Sequence, residues 1–230
     1  MSQVLVFLLN LSRGLFRRPP VLLVLALNLI PVMGVMWWGW SALVLLLLYW
    51  TENVVIGAIN VLKMLVVASR GGVAGVAAAL FMIPFFVIHY GLFCVGHLLF
   101  ATLLGGGIAQ DAANPFASAL EVWRDRGDYV WTVAALAAIH IVNFVYWLIG
   151  GEWKTKELNA QMGEPYGRIV ILHLTILFGA MLIAWLGWPP AGIALLAVLK
   201  TVYEVVTTNR RLEKAEKAKA ALEPLPAGVR

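Results

Sequence analysis

The sequence predicts an all-α, polytopic transmembrane helical bundle of six spans with both termini on the cytoplasmic side (N-in/C-in). Three observations predict it. Of 230 residues, 62% are hydrophobic and only 13% charged. A soluble domain carries about 45–50% and about 25%, and a chain of this length has too small an interior to hide the excess. Second, apolar runs of the length needed to cross a bilayer recur six times. Third, the basic residues segregate. Arg13, Arg17, Arg18, Lys63, Arg70, Lys154, Lys156, Arg168, Arg210, Arg211, Lys214, Lys217, Lys219 and Arg230 fall on one side. Only Arg124 and Arg126 fall on the other, and Lys200 lies inside a span. Positive charge marks the cytoplasmic face. Helices are the expected element because an open strand leaves unpaired backbone groups in lipid.

These facts exclude a cytosolic enzyme, a disordered chain and a secreted disulfide scaffold. Cys94 is the single cysteine, so no internal disulfide forms. The net charge of +5 reads as topology, and no nucleic-acid partner is expected. The lipid bilayer is the expected surrounding, in a bacterial or archaeal cytoplasmic (inner) membrane, with a homo-oligomer or a membrane partner subunit allowed by the wide apolar surface.

Each element follows in order. Residues 1–19 have a broad apolar face ending in arginines and no cleavage site of a secretory signal; they read as an interfacial amphipathic helix. The bundle covers 20–208, with spans at about 20–36, 41–64, 72–104, 128–149, 167–188 and 191–208. Trp37, Trp38 and Trp40 sit at the outer boundary, where indoles favour the headgroup region. Gly71, Gly75 and Ala79 form a small-residue stripe for close helix packing. Gly105-Gly106-Gly107 lacks the Lys-Ser/Thr of a phosphate loop and reads as an exit from the third span. Asn114-Pro115 starts a short outer helix over 115–124, with Phe116, Leu120 and Trp123 along one face, resting on the outer mouth. Residues 209–230 form a basic cytoplasmic tail.

Function must lie among polar residues that lipid penalises. An ionisable group at the bilayer centre costs about 2.5–3.5 kcal/mol even on lenient scales. The set is Glu52, Asn53, Asn60, Lys63, His89, Tyr90, Cys94, His97, His140, Asn143, His173, Lys200 and Glu204, which includes every histidine. At about 1.5 Å per residue, Glu52, His140, His173 and Lys200 share a central slab, and a tilted third helix brings His89 to it. His89 and His97 are eight residues apart, about 80° and about 12 Å on one helix, so they do not share one ion. Imidazole and carboxylate are ligands for Zn, Fe, Mn or Cu. Glu52, His89, His140 and His173 are therefore the expected metal ligands. Asn53, Asn60, Lys63, Tyr90, His97, Asn143, Lys200 and Glu204 are expected as supporting or relay groups. A metal-dependent membrane enzyme would use Glu52 as ligand or base. Two alternatives stand beside it. One is a proton- or ion-coupled transporter or relay built on Glu52, Lys200, Glu204 and the histidines. The other is a b-type haem redox subunit held by His140 and His173. Lys200 and Glu204, four apart on one helix, also neutralise each other.

Four stretches carry a resemblance. YWTENVVIGAINVLKML (Tyr49–Leu65), FFVIHYGLFCVGHLLF (Phe85–Phe100), MGEPYGRIVILHLTI (Met162–Ile176) and LLAVLKTVYEV (Leu195–Val205) resemble the motifs of a widespread family of uncharacterised prokaryotic integral membrane proteins. The resemblance covers most of 45–210. It implies a polytopic helical bundle with Glu52, Asn53, Asn60, Lys63, His89, His97, His173 and Lys200 at motif positions, and it implies no reaction. The fourth span departs, with Ile139-His140 and Asn143-Phe144 where the family pattern resembles Ser-His and Ser-Phe. Glu204 stands where that pattern resembles Asp.

Overall fold

The computed structural model describes residues 21, 22, 25, 30, 33, 34, 37–104, 115–171, 173, 174, 198, 200–210 and 213. Among these there are helices and turns and no strand. The chain divides into two compact units: Met33–Leu196, and Met1–Val32 together with Ala197–Arg230.

The larger unit begins with α1, Ala42–Arg70. Ser41 caps it, its hydroxyl accepting from the Val44 N–H at 3.4 Å. Gly71 closes it by donating to the Ala68 carbonyl. Gly72, at φ +56°, then takes the left-handed turn that a side chain resists, and α2 runs back over Gly72–Leu104. The small stripe does what its composition predicts. Ala79 is buried, and a Cβ added to Gly75 would strike the Ala68 carbonyl oxygen. Further along the same pair, a Cβ on Gly57 would lie 2.6 Å from the Tyr90 ring. Tyr90 uses that space to donate from its hydroxyl to the Asn53 carbonyl at 3.0 Å.

The outer helix is α3, Pro115–Asp125. Its packing face matches the expected one only in part. Trp123 packs edge-on against Tyr129, 5.6 Å between ring centres, while Phe116 and Leu120 are exposed and Ala119 is buried in the cluster with Trp40 and Tyr129. A helix lying close on other helix ends needs a small residue at the crossing, and Phe116 and Leu120 go to the open side. The Asn114 cap and the Gly105–Gly107 exit lie outside the described residues. Next comes α4, Gly127–Ile149. A short turn of 3-10 helix, Glu152–Lys154, and α5, Leu158–Gly163, follow. Residues 166–171, 173 and 174 are again helical.

Three helices are long and apolar enough to cross a membrane: Leu43–Arg70, Gly72–Thr102 and Gly127–Ile149. They match the expected spans at 41–64, 72–104 and 128–149, with α1 extended by about two turns that carry Arg70. The N-terminal helix at 1–19 lies outside the described residues, as does most of the tail. The expected spans at 20–36, 167–188 and 191–208 are described only in part.

Helix α1 is the inner one. Its apolar stretch is 61% buried, against 22% for α2 and 17% for α4. The other two helices display Leu80, Phe81, Ile88, Leu92, Trp131 and Ile149 outward. A water-soluble monomer rarely exposes contiguous apolar surface on this scale. At the Trp40 end, the starts of α1 and α4 are pinned together. The Trp40 indole donates to Asp128 at 2.5 Å, and Arg126 pairs with the same carboxylate at 2.9 Å and donates to the Trp38 carbonyl. Tyr129 reaches across to Thr51 at 2.7 Å and to the Leu47 carbonyl at 3.1 Å.

In the smaller unit, residues 200–210 are helical. Lys200 and Glu204 pair on that helix at 2.9 Å, as their spacing predicts.

Candidate functional site

The pinned ends set a register. Trp40 and Asp128 are 88 residues apart, and so are Glu52 and His140. Twelve residues on each side, nearly all helical, therefore carry both partners to the same level, about 18 Å from the pin. There His140 Nε2 lies 3.2 Å from Glu52 Oε1. Equal depth, the basis on which these two residues are grouped in the sequence, is met by a direct contact.

The second partner of Glu52 is Arg168. Its guanidinium approaches the same Oε1 at 2.7 Å. Glu52 is 5% exposed and Arg168 19%. The sequence assigns Arg168 to the cytoplasmic charge of a loop. The structure instead places it on the helical segment 166–171, facing the middle of α1. A guanidinium stays charged at any physiological pH, so Glu52 and Arg168 form a buried pair of opposite charge. Desolvation of two ions consumes most of their attraction. Such a pair inside an apolar bundle is better explained by register or by chemistry than by stability.

The stretch that delivers Arg168 runs antiparallel along α1 and contacts it level by level. Nearest the Arg70 end, Arg70 donates to the carbonyls of Lys154 and Lys156 and lies 4.0 Å from Glu157. One level further in, the fully buried Gln161 donates from Nε2 to Asn60 Oδ1 at 2.7 Å and to Glu164 at 2.5 Å. Glu164 also draws Lys156 to 3.5 Å and Lys63 to 3.8 Å. Lys63 in turn lies over the Trp147 ring, 5.2 Å from its centre. Arg168 at Glu52 is the innermost contact. From Arg70 to Glu52 this polar ladder spans 18 residues of α1, about 27 Å.

The remaining expected residues divide into separate places. Asn53 is buried beside Tyr90 and donates to the Tyr49 carbonyl. His89 faces outward on α2; its Nδ1 meets the Tyr166 hydroxyl at 2.8 Å, and Phe85 and Phe93 flank its ring at 5.3 Å. His97 and His173 pair with each other, ring centres 5.3 Å apart. Asn143 is exposed on α4. Cys94 is buried among Met64, Phe86, Tyr90 and Ile169. Among the described residues, no three His, Cys, Asp or Glu side chains gather at a spacing that would hold a metal ion. The four expected ligands thus fall into three pairs: Glu52 with His140, His89 with Tyr166, and His173 with His97. His140 and His173, the pair named for a haem, go to different neighbours.

Arg168, Gln161, Glu164 and Tyr166 were not singled out by sequence reasoning. One signal was available for Arg168. A carboxylate as deep as Glu52 needs a permanent cation, and Pro165 opens a helix whose first turn carries Arg168.

Among the described residues, three apolar helices of membrane-crossing length and a buried charged pair, Glu52 on α1 with Arg168, define a helical protein of membrane type. The chain belongs to a family of unknown function (DUF6498), which matches residues 10–221. Neither the curated proteins nor the solved structures contain a match to it.

Proposed function

We propose that this is a six-span protein of the bacterial or archaeal inner membrane, with both termini cytoplasmic, that couples proton uptake at Glu52 to the movement of an ion or solute. One observation carries the reading. Glu52 Oε1 is shared by Arg168 at 2.7 Å and His140 at 3.2 Å in an apolar surround. A carboxylate shared between a fixed cation and an imidazole changes its hold on the cation when it takes up a proton. Charged, Glu52 holds Arg168. Protonated, it releases Arg168, and the arginine must find another acceptor. His140 is the group through which the proton reaches Glu52, because an imidazole can take a proton on one ring nitrogen and give one from the other. The ladder of Asn60, Gln161, Glu164, Lys63 and Lys156 supplies polar groups from Glu52 toward the cytoplasmic end. The coupling element is the segment 154–168, since it carries the cation that Glu52 binds or releases.

The test uses the full chain in liposomes with a trapped pH-sensitive dye. A potassium diffusion potential, negative inside, is applied with valinomycin. Wild-type protein should acidify the lumen, and Glu52→Gln should slow this at least tenfold while Asn143→Ala leaves it unchanged. Equal rates for wild type and Glu52→Gln would sink the proposal.

A further inference from the structure

We infer that His97 and His173 form a binding site for a soft or borderline d-block cation, Cu(I) or Zn(II), separate from the Glu52 group. The first observation is the state of His97. It is 4% exposed, and its Nδ1 lies 2.7 Å from the Phe93 carbonyl one turn back on α2. A carbonyl only accepts, so Nδ1 carries the proton and Nε2 bears the lone pair. That Nε2 is buried and has no hydrogen-bond partner. Leaving a buried acceptor empty costs about 1–3 kcal/mol. Fixing one ring nitrogen on a backbone carbonyl is also how metal-ligating histidines are oriented.

The second observation is the position of His173. Its ring stands at 79° to that of His97 with centres 5.3 Å apart. An imidazole ligand nitrogen lies about 1.1 Å from its ring centre, and Zn–N bonds are about 2.0–2.1 Å, so each ring centre sits about 3.2 Å from a shared ion. Two such rings at a tetrahedral angle are then about 5.2 Å apart, and at a trigonal angle about 5.5 Å. The observed spacing falls between these. Linear two-coordination would need about 6.4 Å.

The surroundings select the ion. The Phe100 ring lies edge-on to His173, 6.2 Å between centres, and Cys94 is a free buried thiol one turn before His97. Two imidazoles with a thiol one turn away suit soft and borderline metals, whereas Mg²⁺ and Ca²⁺ call for oxygen ligands.

The experiment uses full-length protein carrying no histidine tag, stripped with chelator and titrated separately with Zn²⁺ and with Cu(I) against a chromophoric competitor. One equivalent of at least one ion should bind, and the tighter arm identifies it. His97→Ala and His173→Ala should each weaken that binding at least tenfold, and Glu52→Gln and His140→Ala should leave it unchanged. X-ray absorption of the loaded wild type should show two imidazole nitrogens on the metal, which decides the matter even where a variant does not fold. Binding of neither ion, loss on Glu52→Gln but not on His97→Ala, or a metal without two imidazoles would overturn the inference. Because the Glu52 variants act as the controls, failure of the proton-coupling proposal leaves this result readable.

Discussion

Replacing Arg168 by alanine strands the Glu52 carboxylate inside the bundle. Both side chains are mostly buried, at 5% and 19% exposure, so little solvent screening softens the loss. Removing one partner of a buried pair costs about 3–5 kcal/mol. An upper limit follows from the alternative of taking up a proton. An ordinary glutamate, with pKa about 4.3, is held protonated at pH 7 at a cost of about 3.7 kcal/mol, since 2.7 units correspond to 1.36 kcal/mol each. The contact with His140 at 3.2 Å remains and offsets about 1 kcal/mol. The expected loss is therefore about 3 kcal/mol at pH 7. Its sign with pH is fixed by proton linkage. The variant's folded state gains a proton that its unfolded state lacks, so the deficit shrinks by about 1.4 kcal/mol per unit as pH falls toward the glutamate range. Unfolding in mixed micelles at increasing SDS fraction, followed by tryptophan fluorescence, measures it. The double variant Glu52→Gln/Arg168→Met removes both charges and should recover most of the loss. A deficit under about 1 kcal/mol at pH 7, or one that does not shrink on acidification, would refute a buried pair.

Three further outcomes are expected. Gly57→Ala puts a methyl group 2.6 Å from the Tyr90 ring and should cost about 1–3 kcal/mol in the same assay by displacing Tyr90 from Asn53. Gln161→Ala removes the donor shared by Asn60 and Glu164 and should cost about 1–3 kcal/mol, with Gln161→Glu no better because it sets a second carboxylate beside Glu164. In a Cys94→Ser background, Arg124→Cys should react with an impermeant maleimide in intact cells and Glu157→Cys only after lysis. Both positions are exposed, so the reverse pattern would invert the orientation.

Hydropathy was enough to find α1, α2 and α4, because a run of apolar residues bounded by charge has one reading in lipid. The turn at Gly71-Gly72 and the stripe through Ala79 were legible for the same reason: small residues leave room for a backbone and little else. Depth along a helix was legible too. Glu52 and His140, each twelve residues past a pinned end, meet. What sequence counting cannot give is the direction in which a side chain points around its helix. His89, His97 and His173 therefore appeared to belong with Glu52 although they turn to other neighbours. Arg168 was lost for a different reason. The positive-inside pattern is a statistic over loops, and it absorbs any arginine near a loop. The chain between Lys154 and Arg168 is polar enough to pass as a loop, yet it lies along α1 and brings its last cation inward.

The ladder along α1 has a consequence for synthesis. Glu52 belongs to the α1–α2 hairpin, and Arg168 follows 116 residues later, counting from 52 to 168. At about 5–20 residues per second, Glu52 leaves the ribosome roughly 6–23 s before Arg168. Through that interval Glu52 must enter the apolar phase neutral, or wait at its edge beside the insertion machinery. His140 emerges first and offers a provisional partner. Arg168 arrives later and replaces it as the permanent counter-charge, so a ribosome that stalls between residues 140 and 168 should leave a nascent chain whose α1–α2 hairpin slips back toward water.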